Sequence, residues 1–177
     1  MTSELDFQQL LQPISEESAV GQDLRTSGDP SNLYRQVRDA RSSARDREQR
    51  DDRGDDRAAD EASAIEQWQK TSTLAQKYLQ TVGKDLEVVA CLLEAQVRVN
   101  GLGGLSAVIE LSAGLIDRYW GQLYPLQDED GYETTMLPLS RLNSEAIIYP
   151  LQRLQISETS GAEVLLVWQT DQAQRVE

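Results

Sequence analysis

Apolar residues recur at three- and four-residue intervals over most of the chain, and the places where that rhythm stops divide it into elements. Ile65, Trp68, Ser72, Ala75, Leu79 and Val82 form one such stripe, which predicts a helix over about 60–82, with Gly83 as its C-terminal stop. Asp85 has the chemistry of an N-cap. Beyond it Leu86, Val89 or Ala90, Leu93 and Val97 share a face that Glu87, Glu94 and Arg98 largely avoid, the pattern of a core-facing helix ended by Asn100-Gly101. After a turn at Gly101-Leu102-Gly103-Gly104 the spacing resumes at Leu105, Val108, Ile109, Ser112, Leu115, Ile116, Tyr119 and Leu123 and runs to Pro125. Two helices joined by so short a turn are expected to pack antiparallel.

The flanks are less regular. Leu5, Phe7, Leu10 and Leu11 predict a short helix, and Pro13, Gly21, Gly28 and Pro30 then punctuate an arm. Asp29-Pro30-Ser31 supplies an acidic cap candidate and an early proline for a helix starting near residue 30, with Leu33, Tyr34, Val37, Ala40 and Ala44 on one side. From Arg35 to Glu61 there are eight arginines against nine acidic residues, and after Val37 no large apolar side chain until Ile65. That balance reads as a solvated helix face, with Asp51-Asp52-Arg53-Gly54-Asp55-Asp56 as a solvated break. Residues 126–138 read as a polar loop, followed by a helix through Leu139, Leu142, Ala146 and Tyr149 that Pro150 breaks or kinks, with a short continuation through Leu151, Leu154 and Ile156. Val164-Leu165-Leu166-Val167-Trp168 is short enough for strand or helix, and its β-branched and aromatic content favours strand.

The expected fold class is therefore mainly α: an antiparallel helical bundle-like domain with an extended N-terminal arm and a short C-terminal strand. The expected divisions are 1–34 for the arm and short helix, 35–61 for the charged variable segment, 62–156 for the helical core, and 157–177 for a tail or the start of a linker. The ending Arg175-Val176-Glu177 carries no helix stop, which suits the N-terminal piece of a longer protein.

Composition narrows the chemistry. A net charge of −13 opposes binding to nucleic acid or to anionic membranes, since both rely on basic patches. The longest apolar run, 88–93, is far below the roughly 20 residues that span a bilayer, and the first residues lack the basic and apolar parts of an export signal, so no membrane insertion is expected. The single cysteine, Cys91, has no intramolecular partner and lies within that run, so it reads as a small buried side chain in a protein of the reducing cytoplasm. The chain has no histidine, which removes the commonest general base, triad partner and metal-binding side chain. Gly101-Leu102-Gly103-Gly104 follows a helix and lacks the Lys-Ser or Lys-Thr of a phosphate loop. Aligning Gly131 with the invariant glycine of a calcium loop puts Leu126 and Leu137 at ligand positions. No catalytic residue, metal ligand or cofactor is expected. Asp128, Glu129 and Asp130 leave a carboxylate- or metal-dependent enzyme as the rival reading, and their density alone supports it.

Large aromatics dominate core and interface energetics. Trp68, inside its stripe, is expected in the core. Trp120 and Tyr124 stand one turn apart beside the acidic loop, so Trp120, Tyr124, Asp128, Glu129 and Asp130 form the candidate protein-interaction edge, with core packing as the plainer reading for the two aromatics.

One ordered set of segments carries a resemblance. Pro13-Ile14-Ser15, Gly21-Gln22-Asp23-Leu24-Arg25, Trp68, Gly83-Lys84-Asp85-Leu86-Glu87-Val88, Leu92-Leu93-Glu94-Ala95, Asn100-Gly101-Leu102-Gly103-Gly104-Leu105 and Asp117-Arg118-Tyr119-Trp120-Gly121-Gln122-Leu123-Tyr124-Pro125 together resemble the ImpA N-terminal domain found in TssA-like proteins, over about residues 13–156. The resemblance implies a cytoplasmic, non-enzymatic role in building the baseplate, sheath and tube of the bacterial type VI secretion system. The implied partners are other secretion components, namely sheath, tube, baseplate or membrane-complex proteins, with oligomerisation driven by regions beyond this chain. The family also holds accessory, sheath-terminating relatives that share the domain, and an adaptor unrelated to secretion would share the helical fold.

Overall fold

The computed structural model describes residues 7–51 and 57–154, and all regular structure among them is helical. In chain order the helices are α1 (Phe7–Leu10), α2 (Leu33–Asp51), α3 (Arg57–Thr81), α4 (Leu86–Tyr119), α5 (Tyr132–Ser140) and α6 (Glu145–Gln152). The expected helical domain is what is found. Of the expected break Asp51–Asp56, Asp51 is the last residue of α2, while 52–56 and the strand at Val164–Trp168 lie outside the described residues.

The long α4 is two helices merged across one residue. Gly101 has φ 60° and ψ −139°, outside helical geometry and in a region open to glycine alone, so the chain reverses there. The ends of the two arms meet: Leu86 N–H donates to Tyr124 O at 2.8 Å and Tyr124 N–H donates to Lys84 O at 3.0 Å. An antiparallel hairpin is the result, as the short turn implies, but the turn is tighter than expected, with 102–104 already helical. Gly104 completes the corner, because a Cβ there would stand 2.3 Å from Gln96 O. As one straight rod α4 is long and apolar enough to cross a membrane. Folded at Gly101, neither arm reaches the roughly 20 residues required.

α3 runs antiparallel to α2, as the pairs Tyr34–Tyr78 and Glu48–Trp68 show, and Ser72 Oγ accepts from Gln96 Nε2 on α4 at 2.7 Å. Trp68, Tyr78, Leu79, Leu86, Leu92, Leu111, Leu115 and Leu123 are fully buried at the centre. Burial pushes the Cys91 thiol up to about 12, so it is an inert core side chain.

The arginine-rich α2 is only in part the solvated face its composition suggests. Arg35, Arg38, Asp39 and Asp46 keep a solvated face, but Ala40 and Ala44 are small enough to let the other side lie close against its neighbours, and Arg41, Arg45 and Glu48 on that side reach α4. Tyr34 donates to Glu87 Oε2 at 2.7 Å, Arg41 and Arg45 both hold the buried Glu94, and Glu48 accepts from both Arg98 and Trp68 Nε1. A buried carboxylate costs several kcal/mol unless paired, so Glu94 makes α2 a required partner of α4. Sequence counting missed this because long arginine stems reach inward from positions that look exposed.

Capping also differs from expectation at α2. Asp29 accepts from Ser31 in its own turn, and the residue that caps the helix is Asn32, whose Oδ1 accepts from Arg35 N–H at 3.0 Å. At α4 the expected cap is present: Asp85 Oδ1 accepts from Glu87 N–H at 2.8 Å and Val88 N–H at 3.4 Å. Arg25 Nη2 reaches the same oxygen at 2.8 Å and ties the arm to the helix start. Burial pushes the Asp85 carboxyl up to about 6 against the pull of Arg25 and of those N–H groups, and its Oδ2 has no partner.

The arm crosses the α3–α4 junction so closely that glycine is required on both sides. Gln22 N–H donates to Val82 O at 3.0 Å and Lys84 N–H to Val20 O at 2.9 Å. A Cβ on Gly21, whose φ is +74°, would sit 2.0 Å from Val82 O, and one on Gly83 would sit 2.6 Å from Gln22 O. Gly83 therefore follows α3 as a point of close approach rather than through a left-handed stop. The fully buried Lys84 Nζ donates to Leu10 O and Leu79 O, both at 2.7 Å, and burial lowers its pKa to about 8.

The region after Tyr124 departs from expectation. The predicted polar loop is helical from Tyr132, and Pro138 and Pro150 lie inside α5 and α6 instead of breaking them. Proline at 150 cannot donate to the carbonyl four residues back, and that carbonyl, of Ala146, accepts from Arg98 Nη2 at 2.9 Å instead. The break falls at 141–144, between the two helices. Ile156, in the expected continuation, lies outside the described residues.

Two stability outcomes follow from these junctions. Gly101→Ala is expected to lower the unfolding free energy by about 1–3 kcal/mol, whereas Gly103→Ala, where a Cβ meets nothing within 4 Å, is expected to leave it equal or raise it by up to about 1 kcal/mol. Urea unfolding followed by circular dichroism compares them, and equal effects at both sites would show that Gly101 is not the constrained residue. The second outcome concerns pH. The unfolded Asp85 carboxyl titrates near 3.8 and the folded one near 6, so between those values the folded state holds a proton that the unfolded state lacks. Its contribution therefore favours folding as the pH falls through 6, is complete below 3.8, and is lost as the pH rises again. Relative to Asp85→Asn, which keeps a capping oxygen, the unsubstituted chain is expected to gain about 1 kcal/mol between pH 7 and pH 5. Parallel stability curves for the two proteins would rule the effect out.

Candidate functional site

The edge identified by sequence lies where the second arm of α4 ends and the chain turns toward α5. Trp120 is the C-cap residue, with φ −50° and ψ 135°, and this extended geometry stops the helix. Gly121 follows with φ +80°, a left-handed conformation that reverses the chain. Leu123 is buried and anchors the segment in the core. Tyr124 is then held by its two backbone bonds to the start of α4 and by its hydroxyl, which donates to Gly21 O at 3.2 Å. Burial raises the pKa of that hydroxyl. The Tyr124–Pro125 bond is cis.

The two aromatics thus part company. Tyr124 is half-buried and joins the α4 hairpin to the N-terminal arm. Trp120 points outward, 45% exposed, and stacks on Tyr132, which is 43% exposed, with ring centroids 4.7 Å apart and planes 25° from parallel. Leu126, 50% exposed, lies on the connection between them. Exposed residues of this size concentrated on one turn are unusual on a surface that gains nothing by displaying them.

The acidic residues form a tight turn. Asp128 Oδ1 accepts from Asp130 N–H at 3.0 Å and from Thr134 Oγ1 at 2.7 Å, and Gly131 N–H donates to Asp128 O at 3.0 Å. The Thr134 hydroxyl, and after it the Asp130 N–H, hold the Asp128 carboxyl below its ordinary value. A carboxylate kept ionised in this way is the reverse of a general acid. Glu129 and Asp130 are exposed at the tip. Among the described residues no group of three or more acidic or cysteine side chains is placed to hold a metal ion. The turn sets the direction from which Tyr132 enters α5, with Gly131 at φ +67°. Sequence reading picked Trp120 and missed Tyr132 and Leu126; an aromatic directly after a glycine-ended turn was the available signal, obscured because 126–138 read as loop.

These features define an all-α domain whose conspicuous surface feature is a stacked aromatic pair beside an acidic turn. A family model described as ImpA, N-terminal, type VI secretion system matches residues 11–144. The chain belongs to this ImpA N-terminal family. Its fold is similar to a solved structure, the N-terminal domain including the conserved ImpA_N region of the TssA component of the type VI secretion system from Burkholderia cenocepacia, at a TM-score of 0.69 and 26% identity. That match covers 98% of this chain and 59% of the other, so the chain spans less than two thirds of the protein it resembles. The comparison with curated proteins gave no match.

The different seating of the two aromatics has a measurable consequence. Trp120→Ala is expected to change the unfolding free energy by no more than about 1.5 kcal/mol, the worth of an exposed ring pair. Tyr124→Ala is expected to cost at least about 2 kcal/mol, because it opens a gap under the arm and removes one of the two hydroxyl donors to Gly21 O, leaving only Ser18 Oγ. Chemical denaturation of both variants ranks them, and a larger loss at Trp120 would reverse the assignment.

Proposed function

We propose that this chain is a non-enzymatic, cytoplasmic assembly module of the type VI secretion system. In this reading it grips another secretion component, of the sheath, tube, baseplate or membrane complex, through Trp120, Tyr132 and Leu126. Family membership supports the setting, and the observation that carries the docking surface is the stacked Trp120–Tyr132 pair held half out of the protein. The stack fixes two large rings before any partner arrives, so little side-chain freedom is lost on binding. Glu129, Asp130 and Glu133 are exposed within three residues of Tyr132 along the chain, which suits a partner with an apolar recess rimmed by basic residues. Tyr124 and Asp128 act beneath this surface as positioning residues.

A role like that of the accessory, sheath-terminating relatives is the alternative within the same setting, and the partner captured separates the two roles. A carboxylate-dependent enzyme is disfavoured by the ionised, turn-bound state of Asp128. The test is a pull-down with purified sheath, tube, baseplate and membrane-complex proteins of the same system, using the longest native form of the chain. One component is expected to bind, and Trp120→Ala combined with Tyr132→Ala is expected to weaken it at least about tenfold without loss of helicity. Binding to none of them, or binding indifferent to the double substitution, would refute the proposal.

A further inference from the structure

The second arm of α4 leaves an apolar seam on the surface. Leu102, Ser106, Ile109, Ala113, Ile116 and the C-cap Trp120 follow one another at alternating four- and three-residue steps, so they fall on one line along the helix. Leu102, Ile109 and Trp120 are 50%, 52% and 45% exposed, Ser106 and Ala113 are exposed, and Ile116 is half-buried. At a rise of about 1.5 Å per residue the line is about 27 Å long. Ser106 and Ala113 are small and stand between the larger side chains, which makes shallow holes of the kind that receive the knobs of a second helix. Single exposed apolar residues are ordinary, but a run of them in register with no charge inside it is not. The exposed side of α3 carries Glu66, Lys70, Thr73, Lys77 and Gln80 instead.

The edges of the seam select what covers it. Glu110 and Asp117 are exposed one heptad apart along one edge, and neither forms an ion pair among the described residues. The only basic residue of this arm, Arg118, is turned away toward the backbone after α1, where its Nη1 donates to Leu11 O at 3.2 Å. Leu105, Ser112 and Tyr119, on the other edge, are buried or half-buried against the rest of the domain. The complement is an amphipathic helix with apolar residues at the same spacing and Lys or Arg along one edge. A second copy of this chain fits poorly. Antiparallel pairing sets Glu110 and Asp117 against their own counterparts, and parallel pairing brings them to the edge that the domain itself fills. We infer that this seam is the docking site of a basic-edged amphipathic helix from another protein. Ile109 precedes Trp120 by about 16 Å along the helix, so the seam and the aromatic edge are tested through different residues.

Fluorescence anisotropy on the full chain tests this with two labelled helical peptides of about 20 residues, the length of the seam. Both carry Leu at the seam spacing, one with Lys along its edges and the other with Glu. The Lys peptide is expected to bind at least about tenfold more tightly than the Glu peptide. Ile109→Glu is expected to weaken the Lys peptide at least about tenfold. That substitution adds negative charge, so non-specific attraction to an acidic protein would strengthen binding instead. Glu110→Lys combined with Asp117→Lys is expected to narrow the preference between the peptides at least about tenfold. All three positions are exposed, and circular dichroism confirms that each variant keeps its helices. Binding of neither peptide, Lys-peptide binding that Ile109→Glu leaves unchanged or strengthens, or a preference indifferent to the charge reversal would each overturn the inference. So would a dimer in sedimentation equilibrium that Ile109→Glu dissociates, because the seam would then belong to a second copy.

Discussion

A carboxylate sealed inside a protein needs a cation, and the placement of two such carboxylates organises this domain. Asp85 and Glu94 both belong to the first arm of α4 or its cap, and both are essentially without solvent contact. Arg25 of the arm answers the first, and Arg41 and Arg45 of α2 answer the second. Desolvation would make either carboxylate costly alone, so the arm and α2 are held against α4 by a penalty for leaving rather than by apolar area. Apolar packing has little to offer there, since α2 contributes mostly Tyr34, Val37 and alanines to the core.

The same junction carries the geometry of the surface. Asp85 begins α4, Tyr124 closes the hairpin onto the adjoining backbone, and Gly21 and Gly83 let the arm pass close enough for Tyr124 to bond it. With Tyr124 and Leu123 fixed, Trp120 has only the outward side available, where Tyr132 meets it. A rigid, half-exposed pair is therefore a product of core constraints several residues away. This is how a small helical domain can present exposed aromatic rings on a turn without leaving them loose.

Charge is distributed unevenly between interior and surface. The net charge of −13 is a property of the whole chain, and four arginines among the described residues, Arg25, Arg41, Arg45 and Arg98, are drawn onto carboxylates in the seams around α4.

Sequence by itself determined the helical class, the core stripes from Ile65 to Leu123 except for the exposed Ile109, the cap at Asp85, the reversal near Gly101 and the family. These follow from periodicity and from local backbone chemistry, which act over a few residues and are written in order along the chain. Tertiary structure decided what depends on who is opposite. It made α2 an ion-paired interior helix, turned Trp120 outward and Tyr124 inward although they stand one turn apart, and kept Pro150 helical by giving the carbonyl of Ala146 to Arg98. It also replaced Asp29 by Asn32 as the cap of α2 and brought Tyr132 against Trp120. In each case the deciding partner is distant in sequence or the deciding quantity is burial, and neither is visible to a local pattern.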